Sequence, residues 1–235
     1  MSSGVPVDLS DALAGPASQR VADYLRKAIL DGDIRPGQRV RQAMVAERFG
    51  ASRLPVREAL RMLEAEGLIE NEANKGAHVP LLDMGEVDII YQMRERLEPL
   101  ALSQSIPHLT TGDIRSLEQI QDAIETKDAI ETKIDVPGFL QLDREFHLLM
   151  YSGCHFDQLT SLVTRMWNST QHHRRILVST SGPGRMWVIN SEHRLLLDAI
   201  ARQDITDAER YLSGHIRRTR VELARHSEVF DDSPS

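Results

Sequence analysis

The sequence predicts a mainly α-helical protein: an N-terminal winged helix-turn-helix followed by a C-terminal all-α antiparallel helical bundle. Three observations predict it. Apolar residues recur at helical spacing along most of the chain, and β-branched runs are scarce. Two short apolar runs, Leu68-Ile69-Glu70 and Ala77-His78-Val79, flank a polar turn and read as one small hairpin. The charge is uneven. The net charge is -7, yet residues 1–80 carry 11 basic and 11 acidic side chains, so the acidity belongs to the remainder. Such asymmetry points to two domains with different partners.

The expected organisation is a mobile arm over 1–17, the winged domain over 18–80, the bundle over 84–226 and a tail over 227–235. The one cysteine, Cys154, excludes an internal disulfide framework and a cysteine-based zinc cluster. No apolar run approaches the ~20 residues of a membrane span. The N-terminus lacks the basic start and apolar core of a secretory signal, so a cytoplasmic location is expected.

The N-terminal elements follow in order. Val21, Leu25, Ala28 and Ile29 share one helical face, and Gly32 and Pro36-Gly37 end that helix. A short helix runs from about Gln42 to Phe49. Gly50-Ala51-Ser52 makes a tight turn, with Ser52 placed as N-cap of a third helix and Pro55 tolerated in its first turn. Val56, Ala59, Leu60 and Leu63 form its buried stripe, and Gly67 ends it.

Residues 35–61 hold seven arginines against Glu47 and Glu58, a surplus of five positive charges. Arg53, Arg57 and Arg61 are spaced i, i+4, i+8 and share the face opposite the apolar stripe. A helix fits the major groove of B-DNA, and arginine can bond bidentately to guanine. The plainer reading is a solvated face paired with Glu58 and Glu64. The short helix and turn before it and the hairpin after it move the balance to DNA. Ser52 would touch the phosphate backbone from the helix N-terminus. Lys75, at the hairpin tip, is either a minor-groove or phosphate contact or simply solvated.

The stretch PGQRVRQAMVAERFGASRLPVREALRMLEAEGLIE resembles the DNA-binding domain of GntR-family transcription regulators. The resemblance covers residues 20–80, and ASRLPVREAL is its specific core. It implies that Arg53 and Arg57 are the main DNA contacts, with Arg41, Ser52, Lys75 and Gly76 as weaker ones. Leu54 stands where the family often has Thr, which removes a hydroxyl contact.

Residues 84–226 read as helices near 84–106, 111–134, 137–152, 156–178, 184–202 and 205–226. The segment DAIETK occurs at 122–127 and again at 128–133. Six residues turn a helix face by ~120° short of full registry, so the duplication is expected at a helix end or loop extension.

Asp143 and His147 are i and i+4 on one helix and can point at one ion. His193 and His215 lie eleven residues either side of Asp204, where the last two helices turn. Residues equidistant from such a turn lie level, so these histidines can face each other. One carboxylate and three imidazoles suit a borderline divalent ion such as Zn²⁺ or Ni²⁺. The plainer reading is four unrelated surface or core residues. The sequence D-x-x-F-H, then S-G, then E-H-x-x-L-L-x-A-I, then H resembles the FCD ligand-binding domain of FadR-type GntR regulators, over about 84–226. That resemblance implies a metal held by Asp143, His147, His193 and His215. Cys154 stands where the family often has Asn.

Arg94 falls on the apolar stripe of Val87, Ile90, Leu97 and Ala101. A buried arginine is costly unless it meets an anion. It either pairs with Glu98 or anchors a carboxylate effector bidentately; the R-E-x-L-E resemblance leans to the second. His172, His173, Arg174 and Arg175 read as a solvated patch, and Trp167 and Trp187 as core or interface.

The expectation is a ligand-responsive transcription regulator rather than an enzyme. It would be a homodimer on palindromic double-stranded operator DNA, with a small carboxylate as effector and no membrane association. Repression is the mode the family resemblance implies. A metal-dependent hydrolase would need a general base near the ion. Glu192 adjoins His193, but consecutive helical residues point ~100° apart. No Ser-His-Asp, phosphate-loop or His-Glu-x-x-His motif is present. A third reading makes the metal itself the signal.

Overall fold

The computed structural model describes residues 16–72, 75–130, 135–180 and 183–226. They form two compact units, one ending at Leu81 and the other beginning at Leu82.

The first unit runs α1 (Ala17–Leu30), α2 (Gln42–Arg48), α3 (Arg53–Ala65), β1 (Glu70–Glu72) and β2 (Gly76–His78). Its core joins Val21, Ala22 and Leu25 of α1 to Val56, Ala59, Leu60 and Leu63 of α3, with Leu68, Ile69 and Ala77 beneath the hairpin. These are the stripes that the 3.6-residue period picks out. Arg26 of α1 grips both carboxylate oxygens of Glu66, at 2.7 and 2.6 Å, and ties the two helices together. The antiparallel strands pair Glu70 with His78, Asn71 with Ala77 and Glu72 with Gly76. Arg39 adds an isolated bridge to His78. The strands therefore start two residues later than Leu68 on one side and one residue earlier than Ala77 on the other. Leu68 and Ile69 are fully buried under the sheet rather than paired within it.

The second unit runs α4 (Met84–Ser105), a 3-10 turn (Ile106–His108), α5 (Thr111–Ile130), α6 (Val136–Met150), α7 (Asp157–Thr180), α8 (Pro183–Ala201) and α9 (Ile205–Arg225). Asp83 caps α4 in a reciprocal box with Glu86. Asp135 and Asp204 cap α6 and α9 by accepting from Gly138 N and Asp207 N. The main core gathers Val87, Tyr91, Phe146, Trp167, Leu196 and Leu212 from five of these helices.

Gly153 explains the Ser152-Gly153 pair. A Cβ there would lie 2.5 Å from the Ser105 carbonyl oxygen, and its N–H donates to Ser105 Oγ at 2.9 Å. The chain leaving α6 is thus pressed against the end of α4. The first DAIETK copy lies within α5, where Asp122 and Glu125 accept from Arg194 of α8. The second begins on the last turn of α5 and continues into residues 131–133, outside the described residues. No described helix is long and apolar enough to cross a membrane.

Candidate functional site

Two sets of functional side chains emerge, one in each unit. In the first, α3 buries Val56, Ala59, Leu60 and Leu63 and so presents Arg53, Arg57 and Arg61 to solvent. None of the three makes an ion pair among the described residues, so Glu58 and Glu64 do not neutralise the stripe. Leu54 shares the exposed surface, with 55% of it accessible. Ser52 occupies the N-cap position, but its hydroxyl makes no capping bond. The capping role expected for that side chain is therefore absent, and the hydroxyl stays available at the helix N-terminus. Arg41 is exposed at the N-cap position of α2. Arg48 is less available, since its guanidinium lies 4.9 Å from the Tyr24 ring centre. Lys75 pairs with Glu72 at 2.7 Å. Gly76 has φ +74°, a left-handed conformation that favours glycine, and the Arg39 guanidinium fills the space a side chain would take.

In the second unit, α6 supplies Asp143 and His147, α8 supplies His193 and α9 supplies His215, and all four are buried. The histidine rings lie 5.1–5.3 Å apart, centre to centre. One nitrogen from each falls within 4.8 Å of the others. Asp143 Oδ1 is 3.9 Å from His147 Nε2 and 3.7 Å from His193 Nε2. His193 and His215, eleven residues either side of Asp204, face each other across the α8–α9 turn with ring centres 5.1 Å apart.

The outer nitrogens are held from behind. His193 Nδ1 meets Gln121 Oε1 at 2.7 Å, and the Gln121 amide group donates to Glu125 and Asn190, which fixes its orientation. His215 Nδ1 meets Glu192 Oε2 at 2.7 Å. Both partners are acceptors, so Nδ1 carries the proton and the Nε2 lone pairs face inward. His147 Nδ1 lies 3.5 Å from the Tyr151 hydroxyl. The Nε2 atoms of His147 and His193 are buried without a hydrogen-bond partner.

Burial pushes the His193 imidazole down to about 3 and His215 to about 4, and His147 well below its usual value. All three are neutral near pH 7, the form that binds a metal. Burial alone would raise the Asp143 carboxyl, but Arg174 and the neighbouring His193 and His215 hold it below the usual carboxylate range. The donor set of three inward imidazole nitrogens and one carboxylate, with partnerless buried lone pairs, fits a divalent cation.

Glu192 is buried, as its place beside His193 on a core helix allows, but it supports His215 from outside. It is not aimed into the cluster as a general base would be. Its other oxygen accepts from Arg218.

The solvated patch expected at His172–Arg175 needs correction. His173 and Arg174 are buried. Arg174 donates to Asp143 Oδ2, and its guanidinium lies 4.3 Å from the Trp167 ring. The HHRR run looks like a surface, yet Thr170, Arg174 and Leu177 continue the buried stripe of Val163, Met166 and Trp167 at helical spacing. That stripe was the available signal. Trp167 is core, whereas Trp187 is 65% exposed.

Arg94 is buried and bonds Glu98 at 2.5 Å and Thr170 at 3.3 Å. Of its two readings, the structure shows the pairing with Glu98. Glu98 also accepts from Tyr151 at 2.6 Å. The Arg94 guanidinium lies 4.3 Å from Trp167 and 4.6 Å from Tyr91. Among the described residues, the Tyr91 hydroxyl, Trp167 Nε1, Gln171 Oε1 and Arg174 Nη1 are buried without hydrogen-bond partners. Unsatisfied buried polar groups of this kind mark a place for a polar ligand or water.

Comparison with known proteins adds two family matches. Residues 17–79 match the family described as bacterial regulatory proteins, gntR family, and residues 89–218 match the FCD domain. A Bacillus subtilis (strain 168) protein named as the uncharacterised HTH-type transcriptional regulator YdhC is 31% identical over 193 residues, covering 82% of this chain and 84% of that protein. The Escherichia coli (strain K12) HTH-type transcriptional repressor RspR is 25% identical over 202 residues, covering 86% of each. Among solved structures, Escherichia coli McbR/YncC superposes with a TM-score of 0.76 at 21% identity, over 90% of this chain and 99% of that one.

Proposed function

The chain belongs to the bacterial gntR family of regulatory proteins and carries an FCD domain, which makes it a DNA-binding transcription regulator, and from that premise we propose how its two sites divide the work. The first unit reads operator DNA with α3 in the major groove. Arg53 and Arg57 reach base edges or phosphates, Arg61 extends the cationic face, and the free Ser52 hydroxyl meets the backbone. Leu54 offers an apolar contact to a thymine methyl in place of a hydroxyl. Arg41 and the hairpin residues Lys75 and Gly76 add phosphate contacts. A symmetric dimer would present two such heads to a palindromic operator in the cytoplasm.

The second unit binds a divalent ion, Zn²⁺ or Ni²⁺, through Asp143, His147, His193 and His215. When bound, the ion supplies positive charge and open positions for an oxygen ligand. The effector is a small organic acid. Its carboxylate pairs with Arg174 Nη1, backed by Arg94, while Tyr91 and Trp167 offer donors to its other oxygens. The observation that carries this reading is the set of partnerless buried polar atoms, which includes His147 Nε2, His193 Nε2 and Arg174 Nη1. Effector binding changes DNA affinity only if it favours one arrangement of the protein over another. Repression relieved by the effector is the proposed polarity, in keeping with the name of the relative RspR.

A thermal-shift screen of the metal-loaded protein against small carboxylates tests the reading, since a ligand of the folded state raises apparent stability. A hit that also changes operator affinity supports it. If metal alone switches operator binding and no carboxylate adds to it, the protein is a metal sensor and the effector reading fails.

A further inference from the structure

We propose that Glu70, Glu72 and His78 form a second divalent-cation site, a clip across the hairpin of the DNA-reading unit. The strand register sets it up. Glu70 and Glu72 are two residues apart on β1 and therefore share a face. His78 is the cross-strand partner of Glu70, and Gly76, opposite Glu72, adds no side chain of its own beside the Arg39 guanidinium that lies over it. His78 Nε2 lies 3.7 Å from Glu72 Oε1 and 4.0 Å from Glu70 Oε2. One ligand atom from each residue falls within 4.8 Å of the other two.

The backbone fixes the imidazole orientation. His78 Nδ1 lies 3.1 Å from the Gly76 carbonyl oxygen. A carbonyl only accepts, so Nδ1 holds a proton and Nε2 is the ring nitrogen directed at the two carboxylates. Two carboxylates, like charges, share that strand face. A ring nitrogen fixed by a backbone carbonyl, with its other nitrogen directed at oxygen donors, is the arrangement found behind metal-bound histidines.

Two cations, Arg39 and Lys75, line the same pocket as the three candidate ligands. Lys75 takes Glu72 Oε2, the oxygen directed away from His78. Arg39 lies over Gly76 and bonds neither glutamate among the described residues. In a tetrahedral site with bonds of about 2.0–2.1 Å, ligand atoms sit about 3.3 Å apart. Both glutamates are exposed and can rotate inward by that amount. One imidazole and two carboxylates suit Zn²⁺, with water completing the set. Strands of three residues make a marginal hairpin in water, so a cross-strand ion would hold the wing in one shape.

The test is a calorimetric titration of chelator-stripped full-length protein with Zn²⁺ alone. The wild type shows a micromolar event attributable to the hairpin. Both the double variant E70Q/E72Q and the single variant H78Q weaken that event at least ten-fold. The exposed glutamates are dispensable for folding, which far-ultraviolet circular dichroism verifies. H193A retains the event, which separates it from the histidine cluster of the second unit. Hydrogen exchange at the Glu70 and His78 amides, which face across the hairpin, slows with Zn²⁺ in the wild type and not in E70Q/E72Q. An isotherm of E70Q/E72Q or H78Q that matches the wild type overturns the proposal.

Discussion

Arg174 on α7 donates to Asp143 Oδ2 on α6, so the carboxylate that faces the histidine cluster with one oxygen is held by a buried guanidinium through the other. Removing the arginine leaves a buried carboxylate without its counter-ion. Breaking one side of such a pair costs about 3–5 kcal/mol. Arg174→Ala should therefore lower the melting temperature of the metal-free protein, and added Zn²⁺ should restore part of the loss by neutralising Asp143. Scanning calorimetry with and without the ion checks both. The same variant should flatten any carboxylate titration, because the partnerless Nη1 is gone.

Arg57→Ala should weaken operator binding while leaving the melting temperature unchanged, since the side chain is exposed and unpaired. A bidentate base contact is worth about 1–3 kcal/mol, or roughly five-fold to more than a hundred-fold in affinity. Gel-shift titration at several salt concentrations distinguishes the two contact types. A base contact relaxes sequence preference, and a phosphate contact lowers the salt slope by about one. Undiminished affinity removes Arg57 from the reading face.

His193→Ala should release the bound ion, detected by elemental analysis of the purified protein. Glu192→Gln should be milder. It keeps the bond length to His215 but removes the charge that polarises the ring, and supporting partners of this kind are worth 10–100-fold in metal affinity. Equal metal content and affinity in both variants would dissolve the proposed centre.

Gly153→Ala should destabilise the second unit. The new methyl group would meet the Ser105 carbonyl at 2.5 Å, a backbone atom that cannot swing aside. Overpacking of this type costs about 1–3 kcal/mol. Chemical denaturation should show a lower midpoint with an unchanged slope.

His173 gives the pH prediction. Burial pushes its imidazole down to about 4 in the folded protein, against an ordinary 6.5. Between those values the unfolded chain binds a proton that the folded one refuses, so stability rises with pH. The contribution is fully present above about 6.5 and is lost as pH falls toward 4, at up to about 1.4 kcal/mol per pH unit. His173→Gln should flatten that slope relative to the wild type in melting experiments across pH 4–7. An identical slope in both proteins would place His173 outside the acid response.

Most helices were legible because Pro, Gly and capping Asp residues punctuate strong apolar stripes. The α8–α9 turn is the best example: its position alone set His193 against His215. The reading-head order was legible for the same reason. What escaped was charge inside the core. Arg174 sits in a run of four cationic or titratable residues, and composition outweighed the period that buries it. Glu192, Gln121 and Tyr151 escaped because their task is to hold another side chain across helices, and no local pattern encodes a partner 23 to 72 residues away or one on the next turn. Arg94 could be seen to need an anion. Which anion depended on the rotamer, and Glu98 one turn along takes it.

The two tryptophans differ in surroundings as sharply as two residues can. Trp167 is buried, 4.9 Å from the His147 ring and 4.3 Å from both the Arg94 and Arg174 guanidinium carbons, while Trp187 stands in solvent. The chain has no others. Its ultraviolet emission is accordingly two superposed bands, a blue one from the heart of the second unit and a red one from its surface. An indole wedged among cations and the His147 imidazole is quenched or released by whatever enters beside it. The protein thus carries its own optical probe of the site, read at the blue edge of the spectrum with no label attached, and Trp187→Phe would leave that channel alone.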